Sequence, residues 1–403
     1  MLSDLQIDTI TMPLVDAQQE LSARMVNTIA KRVGEIKELE TDVLIAGMFT
    51  IPYLSRTQSD VKNMRNDVLA TRATQKLKIR KALQNLVKQE WLNARPDFIY
   101  RGIKQSSMTQ NATLMEALEE SVNEVNNVLD VINNPDDIGF MTKRGTDSRV
   151  QVIEDAYRTI INEATMIKQN GVLNFDEAME KALRQLNDGG LKTLPVNGRS
   201  MSIDGVARMR LLSAIRKLDY ETQLEIGRIV GADGVELSAH SFSAPDHEPI
   251  QGHLFTIENF DRLQDGEAFE DTYGIKFEPV RRPIGAWNCK HFTQVVILEN
   301  RKPTWSLEDL EELKRANAEG YTTKDGRHYT MYQCTQIQRD YERRIRDAKR
   351  GIITARNAKN DALKLYYELR LGQLNREYGT FCKSCGLKKD RSRTFVDGFM
   401  ESA

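Results

Sequence analysis

Cysteines and long apolar runs are scarce in this chain of 403 residues. The four cysteines are too few and too scattered for a disulfide framework in a chain of this length. Nowhere do about 18 apolar residues follow one another, and the first residues lack the basic and apolar regions of a secretory signal peptide. We therefore expect a chain that is made in a reducing cytoplasm and neither is secreted nor spans a membrane.

An excess of one charge sign is also missing, since 57 basic residues face 58 acidic ones. This balance argues against a generally cationic nucleic-acid binder, although it leaves local basic patches open. The length exceeds one comfortable hydrophobic core, so two or three domains are expected.

Apolar residues recur every three or four positions through residues 1–135, which predicts a bundle of helices. The three stripes are Leu21, Met25, Ile29, Val33 and Ile36; Ile79, Leu83, Leu86, Val87 and Trp91; and Met115, Leu118, Val122, Val125, Leu129 and Ile132. Pro96 and Pro135 are expected to end the second and third helices, because the residue before proline avoids the helical conformation.

Charge is segregated within this N-terminal region. Basic residues predominate from Lys62 to Lys104, whereas residues 105–142 contain seven acidic residues and no basic one. Such blocks either pair with each other inside the fold or meet a partner of opposite charge.

Residues 136–231 are predicted to form a helical connecting region. Asn174 has the pattern of a helix N-cap, and Gly190 is expected to end that helix. Arg208, Arg210 and Arg216 follow on a further helix, where surface ion pairs are favoured over binding of a phosphate.

Near Gly231 the spacing of the apolar residues changes from three or four positions to two, which predicts strands. Alternation through 235–240 and the apolar run 294–298 predict a small mixed α/β core over 232–300. His240 and His291 are expected near strand ends, where loops carry function.

A candidate pocket is predicted around this core, without assigned catalytic roles. Its members are His240, His247, Gln251, Cys289 and His291. These residue types bind metals, but their spacing matches no compact zinc pattern. Cys289 and His291 would share one face of an extended segment, as a thiol and its base require, although a small buried cysteine is favoured. The structural interpretation is that Asp246 and its neighbours hydrogen-bond loop backbones.

The C-terminal segment 301–403 is dominated by one predicted long helix over 335–378. Eleven basic residues face five acidic ones between Thr335 and Arg376, and the tail adds Lys383, Lys388, Lys389, Arg391 and Arg393. This basic patch suggests contact with DNA phosphates or an acidic surface, or else a solvated amphipathic helix. The candidates for this contact are Arg339, Arg343, Arg344, Arg346, Lys349 and Arg350. Cys382 and Cys385 form half of a zinc pattern that Cys289 or Cys334 would have to complete.

Several motifs occur in one characteristic order. They are Val235-Glu-Leu-Ser-Ala-His240, Asp246-His-Glu248, Gln251-Gly252, Gly285-Ala-Trp-Asn-Cys-Lys-His291, Tyr329-Thr-Met-Tyr332 and Phe381-Cys-Lys-Ser-Cys-Gly-Leu387. In this order they resemble the phage minor capsid proteins of the second family, relatives of the Mu F-like head morphogenesis proteins. The chain departs from that family before Gln251, where Pro249-Ile250 replaces an aromatic residue.

The resemblance implies a structural minor capsid or head morphogenesis protein of a tailed bacteriophage, made in the host cytoplasm and incorporated into the virion. It implies a place inside the head or at the portal vertex and a role in capsid assembly or DNA packaging. The implied partners are the portal protein, the major capsid or scaffold protein and packaged double-stranded DNA, with no membrane and no cofactor. Residues 1–104 are the favoured docking arm.

The resemblance also implies a distant likeness of the 232–300 core to the ADP-ribosyltransferase fold. His240 would take the nicotinamide-positioning role there, but no Glu-x-Glu pattern follows, so turnover is not expected. Two alternatives stay open: a head-carried ADP-ribosyltransferase-like effector and a DNA-binding accessory protein. The expected fold class is α+β, mainly α, with segments 1–135, 136–231, 232–300 and 301–403.

Overall fold

A computed structural model describes residues 4–39, 51–144, 147–170, 174–194, 200–286, 289–299, 301–396 and 398–399. These residues form a mainly helical protein with small antiparallel sheets, which confirms the predicted α+β, mainly α class. Within them, no helix has both the length and the apolar character needed to cross a lipid bilayer.

The described chain begins with four consecutive helices, and short strands occur between and after the later helices. The helices are α1 (Asp4–Glu38), α2 (Ile51–Asn93), α3 (Arg95–Tyr100), α4 (Ala112–Ile132), α5 (Ile153–Asn170), α6 (Phe175–Gly189), α7 (Ile203–Val230), α8 (Ile257–Gln264), α9 (Leu307–Glu319), α10 (Met331–Asn357) and α11 (Asp361–Cys385). The strands are β1 (Ile138–Arg144), β2 (Asp147–Val152), β3 (Leu191–Thr193), β4 (Gly234–Leu237), β5 (Leu254–Thr256), β6 (Phe269–Glu270), β7 (Lys276–Phe277), β8 (Thr293–Val296), β9 (Tyr321–Thr322) and β10 (His328–Tyr329).

The chain divides into two compact units, each assembled from three stretches of sequence. Unit 1 contains residues 1–13, 75–128 and 208–336. Unit 2 contains residues 14–74, 129–207 and 337–403. Independent folding of the four predicted segments stays a prediction.

The N-terminal helix predictions are confirmed. The α1 and α2 stripes are buried, and so is the α4 stripe apart from the half-buried Met115. Helix α2 ends three residues before Pro96, and α4 ends before Pro135. The Asn174 side chain caps α6 by accepting a hydrogen bond from the Asp176 N–H, and Gly190 ends that helix.

Unit 1 contains the sheet predicted from the change of period. Strand β4 lies between β5 and β8, and both pairings are antiparallel. Val235 and Leu237 pack with Phe255 and Phe260 in its hydrophobic core. The intervening Glu236 is also buried, but its carboxylate forms an ion pair with Arg301 and accepts a hydrogen bond from the Thr304 N–H. The charge is thus compensated, as burial requires.

Unit 2 contains a sheet of order β2-β1-β3, so the predicted helical connecting region over 136–231 also contains three strands that the sequence analysis did not predict. Local sequence obscured these strands, because β1 contains Gly139 and β3 is only three residues long. Gly139 is required here, since a Cβ would lie 1.7 Å from the Gln151 carbonyl oxygen. Pairing across the sheet thus outweighs weak local strand propensity.

The prediction of a single long helix over 335–378 was wrong, because two helices, α10 and α11, occupy these residues. Lys359 between α10 and α11 adopts a φ of 51°, and the Asn360 side chain caps α11 by accepting from the Leu363 N–H at 2.8 Å. The Asn360 amide group also donates to the Asp176 carbonyl oxygen at 3.1 Å. Neither proline nor glycine marks the break, so asparagine was the only local signal.

Candidate functional site

The five predicted pocket residues do come together in unit 1, and we call them the histidine cluster. Its members are His240, His247, Gln251, Cys289 and His291. His240 stacks on His291 with ring centroids 4.3 Å apart, and His247 lies 5.4 Å from His291. Apart from the half-buried His240, every member is at most 5% exposed. The cluster is therefore a closed set of side chains rather than an open pocket.

His291 lies in the loop before β8 and bridges that loop to the segment after β4. Its Nδ1 lies 2.8 Å from the Ser238 carbonyl oxygen, which can only accept, so Nδ1 carries the proton. Its Nε2 lies 2.9 Å from the Ser243 hydroxyl and, in the neutral ring, accepts from it. Burial and the neighbouring His240 hold the pKa of His291 well below its ordinary value. The ring is therefore a neutral structural bridge.

His247 has both ring nitrogens engaged as well. Its Nε2 donates to the Arg282 carbonyl oxygen at 2.8 Å, and its Nδ1 lies 3.5 Å from the Cys289 sulfur. Burial lowers the pKa of His247. With Nε2 donating, Nδ1 is the acceptor for the thiol proton, so the ring is neutral.

His240 and Gln251 shape the turn that follows β4. The Gln251 side-chain oxygen accepts from the His240 backbone N–H at 3.1 Å, and His240 Nδ1 donates to the Ser241 carbonyl oxygen at 3.0 Å. Phe242 in the same turn has a φ of 64°, which is uncommon for a bulky residue. These contacts hold the loop in place, as the structural interpretation requires.

Asp246 and Arg282 form a two-point ion pair beside His247. Both contacts, from Arg282 Nε and Nη2 to the carboxylate oxygens, are 2.9 Å long. Burial opposes ionisation of Asp246, but the Arg282 hydrogen bonds outweigh it and hold the pKa of this carboxyl below its ordinary value. Arg282 has no motif that would have identified it in the sequence.

The thiol of Cys289 is buried. Burial raises the pKa of its thiol, which favours the protonated form. Its sulfur contacts the ring of His247 rather than that of His291, and the residue belongs to the hydrophobic core. Throughout the described ranges, no three His, Cys, Asp or Glu side chains converge as a metal site would require.

His253 forms a separate contact in unit 1. Its Nδ1 lies 2.8 Å from the buried carboxylate of Asp271, whose other oxygen accepts from the backbone N–H groups of Tyr273 and Ile275 at 2.9 Å. Asp271 thus fixes the β6–β7 turn, and His253 connects that turn to β5. Sequence reasoning gave Asp271 no role.

Arg216 on α7 is 5% exposed, which contradicts the surface ion pair that was favoured for it. Its guanidinium donates to the Lys290 carbonyl oxygen at 2.8 Å. It lines a cavity of about 210 Å³ together with Asp219 and His291. Burial and the charge of Glu90 raise the pKa of Asp219 to about 7. This buried carboxyl carried no sequence motif.

The predicted basic candidates on α10, in unit 2, are mostly engaged within the fold. Arg343 and Arg344 pair with Asp340, Arg350 pairs with Asp347 at 3.6 Å, and Arg346 donates to the Arg393 carbonyl oxygen. Lys349 is buried and Arg339 is half-buried, so Arg343 is the most exposed of the six. Arg343, Arg344 and Arg350 thus form ion pairs along the helix, and nucleic-acid or partner binding by the six residues stays a prediction.

Cys382 and Cys385 lie in the last turn of α11 and are buried. Burial raises the pKa of Cys382, which favours a thiol over the thiolate that a metal needs. A zinc site completed by Cys289 or Cys334 stays a prediction.

The segregated N-terminal charge blocks pair with each other. In unit 1, Arg80 donates two hydrogen bonds to Glu119 at 2.6 and 2.9 Å. In unit 2, Arg65 pairs with Asp136 at 2.8 Å. This confirms that the blocks attract each other inside the fold.

Comparison with known families gives a match to the model for phage minor capsid protein 2, over residues 2–382. It covers nearly the whole chain and confirms the resemblance drawn from the ordered motifs. No curated protein and no solved structure matches the chain significantly, so the likeness to the ADP-ribosyltransferase fold stays a prediction.

Proposed function

Because the chain belongs to the phage minor capsid protein 2 family, we propose that it is a structural subunit of the phage head, bound beside the portal and aiding assembly or packaging. Membership in that family supports a virion protein. The step to a structural role is supported by the histidine cluster, where the ring nitrogens of both His247 and His291 are occupied by protein atoms.

A catalytic role would need a different arrangement in this cluster. A general base needs an accessible nitrogen and a pKa near the working pH, whereas His247 and His291 are each 1% exposed and have lowered pKa values. The cluster instead links the segment after β4, the Arg282 loop and the approach to β8. We assign it to stabilising the fold of unit 1.

The portal contact is proposed for α3, which lies within the favoured residues 1–104. Ile99 and Tyr100 are 68% and 85% exposed, unusually high for neighbouring large apolar residues. Tyr100 also lines a cavity of about 380 Å³ whose walls include residues of α7 and β8. An apolar anchor beside a cavity is the kind of surface that binds a protein partner.

The experiment complements a phage lacking this gene with Ile99→Ser/Tyr100→Ser protein and quantifies the protein in purified heads. Trimming residues 1–104 would be uninformative, because Met25, Val68 and Leu83 contribute buried core. We expect incorporation to fall at least about tenfold, the loss expected when about 1.4 kcal/mol of binding is removed.

The matched control is Leu365→Ser/Leu369→Ser, which changes two leucines on α11 that are 56% and 66% exposed. We expect this variant to enter heads at the wild-type level. Normal incorporation of the α3 variant would contradict docking through this surface. Absence of even wild-type protein from heads would contradict the structural role itself.

A further inference from the structure

The C-terminal segment of unit 2 surrounds a cavity of about 500 Å³ that the structural role does not use. We call it the C-terminal cavity. Its lining comes from α10, α11 and the segment after α11, and consists of Lys349, Asn375, Tyr378, Lys389, Asp390, Arg391, Thr394, Phe395, Val396 and Phe399. A volume of this size is in the range of pockets that hold nucleotide-sized ligands.

The charge around this cavity is positive. Among the described lining residues, Lys349, Lys389 and Arg391 face one carboxylate, that of Asp390, which pairs with Arg393 at 3.1 Å. Lys389 and Arg391 are exposed. These cations therefore differ from the α10 arginines, whose charges are largely compensated by Asp340 and Asp347.

Aromatic rings lie among these cations. Phe395 is 67% exposed at the cavity, and Lys349 Nζ lies 5.3 Å from the centroid of the Phe399 ring. A large exposed aromatic ring on a protein surface is costly in water, but it offers a flat face on which a base can stack. Cations that contact phosphates, combined with aromatic faces that take bases, are typical of sites for single-stranded nucleic acid.

The segment that carries these groups is anchored to the helices. The Tyr378 hydroxyl donates to the buried Glu342 at 2.9 Å and accepts from the Asp390 N–H at 3.3 Å. Gln338 donates to the Lys388 carbonyl oxygen at 2.8 Å, and Arg346 donates to that of Arg393. The cations are thus held on a fixed backbone, which reduces the entropy cost of binding a ligand.

We propose that the C-terminal cavity binds single-stranded nucleic acid, with phosphates contacting Lys389 and Arg391 and a base stacking on Phe395. The phosphate chain explains the exposed cations, and the base explains the exposed ring. A duplex presents a free base face only at an end, so single strands bind more tightly than duplex. The inference goes beyond the proposed portal role and does not require it.

The test uses the full chain and fluorescence anisotropy with a labelled oligothymidylate of about 12 nucleotides, a length that single-strand-binding sites cover. Removing both cations, as Lys389→Ala/Arg391→Ala, should weaken binding at least about tenfold. It should also reduce the slope of log affinity against log salt by about 1.4, or about 0.7 for each lost phosphate contact.

Stacking is tested separately from charge. Phe395→Ala should weaken single-strand binding by about 5- to 150-fold, which is the usual contribution of one stacked base, and leave the salt slope unchanged. Duplex of the same length should bind more weakly to wild type and lose less affinity on Phe395→Ala, because it offers base faces only at its two ends. Because Phe395 is exposed, the melting temperature should not change, which separates lost binding from lost folding.

The matched control is Arg343→Ala/Arg344→Ala, which removes two charges from α10 and should change affinity by no more than roughly twofold, since only long-range attraction is lost. Equal losses from the two double variants would overturn the proposed site, as would Phe395→Ala protein that binds like wild type. Displacement of the oligonucleotide by polyglutamate at equal charge concentration would show a site for acidic protein instead. All these outcomes are independent of incorporation into heads.

Discussion

The histidine cluster of unit 1 and the C-terminal cavity of unit 2 are both rich in ionisable residues, but their polar atoms have different partners. In the histidine cluster, His247 and His291 bind Arg282, Ser238, Ser243 and Cys289 within the protein. In the C-terminal cavity, Lys389 and Arg391 are exposed and line open space. An ionisable residue type thus indicates that a side chain has a polar partner. In these two sites, the buried side chains have their partners within the protein, whereas the exposed side chains are available to a ligand.

This difference has an energetic consequence. Buried polar groups that lose their partner cost roughly 1–3 kcal/mol each, whereas exposed cations contribute little to folding. Substitutions in the histidine cluster should therefore reduce stability, and substitutions at the C-terminal cavity should reduce only binding. The largest loss of stability is expected at the centre of the cluster.

His291→Ala should lower the free energy of unfolding of unit 1 by about 2–4 kcal/mol. The substitution leaves a cavity and removes the hydrogen-bond partner of the buried Ser238 carbonyl and Ser243 hydroxyl groups. Denaturant titration followed by tryptophan fluorescence measures it, since Trp91 and Trp305 belong to unit 1. The control is His328→Ala, because His328 is exposed in the β9–β10 hairpin and should cost less than about 1 kcal/mol. Equal losses of stability for the two variants would contradict the claim that the histidine cluster contributes more to stability than an exposed histidine does.

Acidification should destabilise unit 1 through His247 and His291. Their pKa values are lowered in the folded state. Their contribution to the free energy of unfolding is therefore complete above the unfolded-state pKa of about 6.5, and it is lost as the pH falls from there toward the folded-state pKa values. We expect a loss of up to about 1.4 kcal/mol per pH unit for each histidine. Unfolding midpoints measured from pH 7 to pH 5 test this, ideally in an Asp219→Asn background.

The control for the pH effect is His247→Gln, which keeps a donor for the Arg282 carbonyl oxygen but does not titrate. Its stability should depend less on pH than that of wild type over the same range. A steeper or unchanged dependence would exclude His247 as one of the two groups.

Asp219→Asn should stabilise the protein at neutral and alkaline pH by on the order of 1 kcal/mol, because it removes the cost of ionising a buried carboxyl. The pKa of Asp219 is raised to about 7, so the wild type loses stability as the pH rises from the unfolded value of about 3.9 toward 7. The gain should appear at pH 8 and vanish near pH 4 in calorimetry. A gain of equal size at both pH values would contradict the assigned cause.

The smallest effect is expected for the charge blocks of the N-terminal region. A double-mutant cycle on Arg80 and Glu119 should give a coupling energy of about 0.2–1 kcal/mol, since both side chains are 43% exposed. High salt should reduce this coupling. A coupling of zero at low salt would mean that the pairing contributes nothing to folding.

Helices α1, α2 and α4 were predictable because their apolar residues repeat with the helical period, and prolines mark the ends of α2 and α4. The sheet β2-β1-β3 was not, because β3 joins β1 across about 50 residues of sequence and has only three residues of its own. The break at Lys359 was missed for a related reason, since the Asn360 bond to Asp176 is a tertiary contact.

The sequence predicted which residues come together in the histidine cluster, but not which atoms of those residues contact each other. Spacing allowed Cys289 to face His291, whereas the fold turns its sulfur toward His247. Arg282 and Ser243 complete the cluster without any motif, because their role depends on loops that meet only in the folded chain. The cations on α10 illustrate the same limit, since Asp340 and Asp347 lie in the same sequence and compensate them.

The most direct test of the structural role is cryo-electron microscopy of purified heads, combined with quantitation of this protein in the same particles. The account predicts density for the chain beside the portal, at a copy number that fits the cyclic symmetry of that ring. Heads that assemble and package DNA normally but contain no copy of the chain would contradict it.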